Sequence, residues 1–454
     1  MRIILIVSRF ILGTLFIFSG FVKAIDPLGS AYKFSDYFHA FGLEFLDGLS
    51  LLLAIVLSAF ELVLGIVLIL GYQKRITYWI VLFFMGFFTI LTFILALTNP
   101  VTDCGCFGDA LILTNWQTFF KNLVLMVFVL ILFRARKNAD NVLFAPLEIM
   151  LILLFFTGSV LLSVNSLWHL PALDFRPYDT GTHIPDEMKI PEGASADEYS
   201  TILLYKNLET GEVEEFTIEN YPQDTSKYDF VNSESKLVKK GFEPAITDFG
   251  IMDQDGMDLT DEILTDPGYT LMMISHDLAS ADHEILVQGN LWSQLEKFAA
   301  DFRFVPITAS SSDLIEEVSM LEGLEFEFYA GDEIMLKTMI RSNPGFMMVK
   351  NGTIVAKWAS GDFPEFSVWN NQWQDLISRY NEEQDPEIRM LIEEGYMEDL
   401  SWEMIDFDQA ANSMITGWYA KRYNRSVWKI FLLSVLLLLI IPQFLPGKKM
   451  NRRG

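Results

Sequence analysis

"PVTDCGCFGDALILTNWQTFFKN" spans Pro100–Asn122 and holds both cysteines of a 454-residue chain, Cys104 and Cys106, one glycine apart. The segments on either side decide what such a pair can do. Residues 76–97 upstream carry no charge at all, and residues 116–133 downstream carry only Lys121. Apolar runs of this length read as membrane-spanning helices. Similar runs at residues 3–22, 49–71 and 143–162 make five spans before residue 170, and residues 427–445 make a sixth. The first run is too long for the apolar part of a signal peptide and is followed by further spans, so it reads as a retained helix.

Composition divides the chain in the same way. Residues 171–425 contain 50 acidic and 18 basic side chains, whereas the rest of the chain contains 9 and 15. A greasy, slightly basic part and a polar, acidic part argue for a membrane domain joined to a water-soluble one. The acidic surplus excludes nucleic acid as a natural partner, because phosphate binding needs clustered Lys and Arg.

Short-loop basic residues set the expected orientation. Lys74 and Arg75 lie between spans two and three, and Arg134, Arg136 and Lys137 between spans four and five, so both loops are expected in the cytoplasm. Residues 98–115, with no Lys or Arg, then face outward together with the acidic domain. Six spans put both termini in the cytoplasm, and the basic tail "GKKMNRRG" agrees. The expected location is a bacterial cytoplasmic membrane, with the large domain in the periplasm and the lipid bilayer as its surroundings.

Charges within the spans need partners, because a lone charge in hydrocarbon costs several kcal/mol. Arg9 and Glu61 fall in spans one and two and are expected to form an ion pair. Such a pair reads either as a strut that fixes helix register or as part of a quinone or proton site. Lys121, near the cysteine-loop end of span four, could snorkel away or approach the loop.

Gly105 permits the backbone torsions that bring two nearby cysteines together. A disulfide across one residue closes so small a ring that it adds little stability through loop entropy. Accessible, strained disulfides exchange readily, so the spacing suits electron transfer. Asp103 and Asp109 flank the pair and could accept a thiol proton, although carboxylates also raise a thiol pKa. Two other uses stay open: a structural disulfide, and a two-thiolate ligand set for a soft metal, which has no histidine or third cysteine close by in sequence.

Three stretches carry a family resemblance. "SRFILGTLFIFSGFVKAIDP" (residues 8–27), with its early Arg, Ser-Gly-x-x-Lys exit and Asp-Pro, resembles the opening of DoxX-like membrane proteins. "FELVLGIVLILG" (residues 60–71) resembles their second span, and "DCGCFGDALILTNWQTFFKN" (residues 103–122) resembles the loop and helix of the MauE-type branch. The resemblance covers residues 1–135, a four-helix unit. It implies a thiol–disulfide role for Cys104 and Cys106 without carrying a methylamine pathway over.

From about Ala194 onward, apolar residues alternate with polar ones as in strands. A turn at Asp255-Gly256, a strand over residues 270–275, a helix over residues 291–301, the strand "RFVPITAS", the helix "SSDLIEEVSMLE" and a hairpin turning at Asn351-Gly352 follow. Strand–helix alternation closing on an antiparallel hairpin predicts an α/β sandwich. The order resembles the thioredoxin fold of the TlpA-like group over residues 245–358, with Asn343-Pro344-Gly345 where that family has its cis-proline. The family's Cys-x-x-Cys is missing. "SHDLASADHE" (Ser275 to Glu284) stands in its place, so this domain cannot itself cycle a disulfide. The resemblance leaves Asn343, Pro344 and Gly345 as a partner-binding groove. His276 and His283 read as solvated loop histidines and no metal site is assigned; the paired methionines Met272-Met273 and Met347-Met348 read as core.

The expected organisation is a DoxX/MauE-like four-helix unit (residues 1–135), a fifth span (136–170), a β-rich linker (171–244), a thioredoxin-like domain without redox cysteines (245–380), an acidic helical segment (381–426), and a last span with its basic tail (427–454). The expected function is thiol–disulfide redox exchange at Cys104 and Cys106, as in a thiol-disulfide oxidoreductase. A periplasmic thiol protein is the expected partner and a quinone beside Arg9 and Glu61 the onward acceptor. The alternative is a membrane scaffold whose disulfide is structural.

Overall fold

The computed structural model describes residues 2–363, apart from 139–141, 192, 196, 197, 218, 219, 225, 240, 298 and 300, and then residues 411, 412 and 414–416. The expected last span lies outside the described residues, as does nearly all of the expected acidic helical segment. Among the described residues the chain opens with six α-helices: α1 (Arg2–Ile25), α2 (Pro27–Ala40), α3 (Ser50–Leu70), α4 (Lys74–Thr98), α5 (Asn115–Ala135) and α6 (Ala145–Trp168). All but α2 are long and apolar enough to cross a membrane. Their outward faces carry exposed Phe83, Phe87, Ile90, Leu153 and Leu161, which suit lipid and not water. The protein is a multi-pass membrane protein.

Small residues let α1 and α3 touch. A Cβ added at Gly20 would lie 2.3 Å from the Leu62 nitrogen, and one at Gly65 would lie 2.6 Å from the Gly13 carbonyl oxygen. Glycine is what such close backbone approach in a membrane requires.

Helix α2 is a feature that hydropathy did not indicate. Its 14 residues reach about 21 Å, short of the roughly 30 Å hydrocarbon core. Asp26 caps it by accepting a 2.9 Å bond from the Gly29 amide, with Pro27 at the first helical position. Ala31 and Phe38 on its inner face are buried.

Residues His183–Phe249 form a compact unit of their own. It contains the short helix α7 (Ile184–Glu187) and three strands, β1 (Glu198–Asn207), β2 (Val213–Thr217) and β3 (Tyr228–Lys239). The strands pair antiparallel in the order β2-β1-β3.

The α/β domain follows: α8 (Thr260–Leu264), β4 (Tyr269–Ser275), α9 (His283–Val287), α10 (Gly289–Glu296), β5 (Phe302–Thr308), α11 (Ser312–Glu322), β6 (Tyr329–Ala330), α12 (Glu333–Met339), β7 (Gly345–Lys350) and β8 (Thr353–Ala359). The sheet order is β6-β5-β4-β7-β8. β4, β5 and β6 run parallel, and the β7–β8 hairpin runs antiparallel against β4. Helix-linked parallel strands closed by a hairpin on the central strand make this a thioredoxin-like domain. Every residue of β4 is buried, as expected of a strand covered on both faces. Met272, Met273, Met347 and Met348 are fully buried core residues.

The helix expected over residues 291–301 is corrected to the pair α9 and α10, which spans residues 283–296. Asp282 opens the pair through its carbonyl, which accepts from the Leu286 amide. Gly289 then sits against Phe326, where a Cβ would come within 2.5 Å of the ring. The apolar period used for the prediction caught only the Trp292–Leu295 half.

Candidate functional site

The cysteine loop joins α4 to α5, and asparagines pin its two ends. Asn99 ends α4 in a left-handed conformation, and the Asn115 amide donates to Asn99 Oδ1 (2.9 Å) and to the Val101 carbonyl (2.8 Å). Thr114 and Gln117 close a reciprocal capping box that starts α5 immediately after the loop. Within it, Cys104 and Cys106 form a disulfide with their Cα atoms 5.5 Å apart. Gly105 between them has φ +62°, and its missing Cβ would meet the Lys33 side chain at 3.2 Å. Both cysteines are partly exposed.

The flanking carboxylates are engaged elsewhere. Asp103 accepts from the Gly105 amide (2.8 Å) and from Lys33 of α2 (2.8 Å). Asp109 lies 3.1 Å from Arg341 of the α/β domain. Burial pushes the Asp109 carboxyl up from its ordinary value, and Arg341 offsets this only in part.

Beneath the loop, the expected Arg9–Glu61 ion pair is replaced by another. Lys23 holds Glu61 at 2.8 Å, with both side chains buried. Arg9 instead donates to the carbonyls of Leu68 (2.7 Å) and Ile69 (2.6 Å), which close the last turn of α3. The reason is depth. Seven residues of helix separate Glu61 from Leu68, about 10 Å along the axis, so Arg9 meets α3 at a different level. Ser19, one turn before Lys23, places its hydroxyl 2.8 Å from Glu61 Oε2 and 2.6 Å from the Cys106 carbonyl. With one proton, it can donate to only one of them at a time. The Ser-Gly-x-x-Lys spacing opposite a mid-helix Glu carried this signal in the sequence.

A cavity of about 270 Å³ opens beside the disulfide. Phe34 and Phe38 of α2, Phe84, Phe87 and Phe88 of α4, and Leu125 of α5 give it an apolar wall. Cys104, Cys106, Ser19, Lys23, Lys33, Glu61 and Lys121 are among its polar lining.

The α/β domain sits against this end of the bundle. Arg341, buried in the contact, reaches Asp26 (3.0 Å) as well as Asp109, so one guanidinium ties the start of α2 to the cysteine loop. His276 lies 3.4 Å from the Tyr32 hydroxyl of α2, and burial pushes its imidazole pKa down. A second anchor binds the segment after α6. Asp174 pairs with Arg176 (2.7 Å) and with Lys357 of β8 (3.0 Å). Burial alone would raise the Asp174 carboxyl, but the two cations outweigh it and hold it well below the usual range. Burial draws Lys357 down to about 8. Neither Arg341 nor Lys357 stood out in the sequence, because their acidic partners lie 183 to 315 residues away.

The Asn343–Pro344 peptide is cis. Ser275 donates to Asn343 Oδ1 (2.7 Å), and the Asn343 amide donates to the Asp277 carbonyl (2.7 Å). Pro344 and Gly345 are buried. His283 binds Glu322 at 2.8 Å, whereas His276 faces Tyr32. Among the described residues no group of three His, Cys, Asp or Glu is arranged to hold a metal.

Residues 1–135 match the family model of the methylamine utilisation protein MauE. Residues 199–240 match a domain of unknown function, DUF8463. No curated protein matches the chain. Among solved structures, a candidate protein disulfide isomerase from Bacteroides thetaiotaomicron, determined in solution, is similar. It is 15% identical, with a TM-score of 0.22, and the match covers 30% of this chain and 84% of that one. The chain is thus a multi-pass membrane protein, similar over residues 1–135 to the MauE family, that also carries a thioredoxin-like domain.

Proposed function

We propose that this protein is a membrane-embedded thiol–disulfide redox protein whose working pair is Cys104 and Cys106. A MauE-type membrane region joined to a thioredoxin-like domain supports a redox-associated role. The observation that carries the finer reading is the position of the pair: a partly exposed disulfide at the mouth of an apolar cavity, with both flanking carboxylates held by cations.

In the proposed cycle a thiolate of an extracytoplasmic dithiol protein attacks one sulfur of the pair. The 104–106 bond breaks, a mixed disulfide forms, and the other cysteine leaves as thiolate. The partner's second thiolate resolves the mixed disulfide, and the partner departs oxidised. Two electrons and two protons have then passed to Cys104 and Cys106. The cavity suits a quinone ring, being apolar over most of its wall and polar beside the sulfurs. A quinone bound there would supply the acceptor for those two electrons and two protons as the disulfide re-forms. Lys23, Ser19 and Glu61 hold the polar edge beneath the Cys106 carbonyl. The cysteine-free thioredoxin-like domain holds the partner over the loop, and covalent tethering keeps its local concentration high. This reading places the loop and that domain in the periplasm.

Separate Cys104→Ser and Cys106→Ser variants in native membranes test it. One of them should accumulate a reductant-sensitive mixed disulfide that the double variant lacks. If neither does, and extracytoplasmic thiols keep their redox state in the double variant, the disulfide is structural and the scaffold reading holds.

A further inference from the structure

The charges that line the cavity do not balance. Helix α1 contributes Lys23, α2 contributes Lys33 and Tyr37, α3 contributes Glu61 and α5 contributes Lys121, while α4 contributes only uncharged side chains. Lys23 is neutralised by Glu61 and Lys33 by Asp103, each at 2.8 Å. The other nearby acids have their cations too: Asp26 and Asp109 share Arg341, and Asp36 lies 3.9 Å from Lys33. Among the described residues Lys121 forms no salt bridge. Its ammonium instead lies 4.3 Å from the ring centroid of Phe107, the residue that follows Cys106. An aromatic face returns only about 0.5–2 kcal/mol to a cation, less than a carboxylate partner returns in a mostly apolar site. The oxidised loop therefore keeps one positive charge in reserve on the cavity side of the sulfurs.

Reduction of the disulfide generates the missing anion. We propose that Lys121 is the counter-ion of the thiolate formed when the Cys104–Cys106 bond opens. The inference rests on the thiol–disulfide reading, since it requires the pair to be reduced during the cycle. The charge partner has two consequences. It stabilises the cysteine that leaves when an external thiolate attacks, and a leaving thiol of lower pKa leaves faster. It also keeps the reduced pair partly ionised near neutral pH, ready to close again. Asp103 and Asp109 would act in the opposite sense, and Lys33 and Arg341 draw them away.

The test uses full-length protein in lipid, carrying Cys104→Ser or Cys106→Ser so that one thiol remains. The rate of iodoacetamide alkylation is followed against pH by mass spectrometry. At least one thiol should titrate about one pH unit or more below the ordinary value of about 8.5. Lys121→Met should remove that depression, Lys121→Arg should keep it, and Lys23→Met should change it less than Lys121→Met does. An ordinary midpoint for both thiols overturns the proposal without any lysine variant, so a misfolded Lys121→Met cannot shield it. A depressed midpoint unchanged by Lys121→Met in folded protein overturns it equally. Failure to trap a mixed disulfide, with a Lys121-dependent midpoint intact, would instead count against the exchange cycle and leave the counter-ion standing.

Discussion

The cysteine loop and the thioredoxin-like domain each hold half of what a thiol–disulfide site usually combines. The domain has the sheet, the buried central strand and the cis peptide at Pro344. Where β4 ends, it offers Ser275, His276 and Asp277, with no sulfur. The loop has both sulfurs but no sheet, and it is held in shape by side chains reaching from α2 and α5 and from Arg341. The difference teaches that the fold and the chemistry are separable here. At the end of β4 most polar groups bond one another, Ser275 to Asn343 and Asn343 to Asp277, although the buried Nδ1 of His276 has no hydrogen-bond partner among the described residues. At the loop, Cys104 Sγ lies 3.7 Å from the Thr118 hydroxyl, and the cavity that both cysteines line is also lined by Lys121, which forms no salt bridge among the described residues. One region is largely closed on itself, and the other lines a cavity.

The largest effect that could break this comparison concerns the sulfurs. The chain has only two cysteines, so the Cys104→Ser/Cys106→Ser double variant should lose thiol exchange by ~10³-fold or more, the scale of removing a nucleophile. Exchange is measured as the oxidation rate of a dithiol peptide by protein in lipid. The unfolding midpoint should change little, because a ring this small contributes little loop entropy. A large loss of stability with no exchange activity in the wild type would make the loop as purely structural as the end of β4.

Next in size is the link between the two regions. Arg341→Met leaves Asp26 and Asp109 without their shared cation and should cost about 3–5 kcal/mol in thermal unfolding of the purified protein. Arg341→Lys should recover only part of this, since Nε and Nη2 serve different carboxylates and an ammonium cannot fork. Asp109→Asn should cost less than Asp26→Asn: burial already pushes the Asp109 carboxyl toward its neutral form, so an amide gives up less there. Equal losses from the two would mean that Arg341 does not favour the start of α2 over the cysteine loop.

Much of this arrangement was legible in the sequence, for physical reasons that differ by region. Spans announce themselves by length and apolarity, so five were placed to within about six residues at each end. Strand–helix alternation and the Asn-Pro-Gly stretch before the last hairpin pointed to the α/β domain, because β4 and β7 are buried on both faces and read as continuous apolar runs. What stayed hidden was pairing at a distance. Glu61 demanded a cation, and Arg9 was the basic residue inside the first apolar run, with Lys23 falling just past its end. Only the relative depth of α1 and α3, set by the contacts at Gly20 and Gly65, chooses Lys23. Helix α2 was missed because it is amphipathic and too short to span, although Asp26-Pro27 marks its start. Arg341 and Lys357 looked like ordinary surface cations until the fold brought Asp26, Asp109 and Asp174 to them.

That choice of partner for Glu61 sharpens the comparison on a smaller scale, since it concerns the floor of the loop. A double-mutant cycle between Lys23→Met and Glu61→Gln should show a coupling of about 1–3 kcal/mol in unfolding free energy. The corresponding cycle between Arg9→Met and Glu61→Gln should give less than about 0.5 kcal/mol, as for groups without shared partners. Strong coupling to Arg9 would restore the ion pair read from the sequence and move the polar floor away from the Cys106 carbonyl.

The smallest expected effect lies at the end of β4, and it decides whether that region is as closed as it looks. Ser275 is fully buried and gives its hydroxyl proton to Asn343 Oδ1 at 2.7 Å. Ser275→Ala removes one hydrogen bond and leaves an amide oxygen short of a donor, a loss of about 1 kcal/mol. The loss should stay near that value, because Asn343 is only half-buried and water can replace part of what the serine gave. Thiol exchange at Cys104 and Cys106 should then remain within about twofold of the wild type, since nothing in this network reaches the sulfurs. Measured side by side, the unfolding midpoint should fall slightly while the dithiol oxidation rate holds. If the rate falls and the midpoint holds, the serine that stands where thioredoxin-like sites carry sulfur takes part in the chemistry, and the separation of fold from reaction fails at that residue.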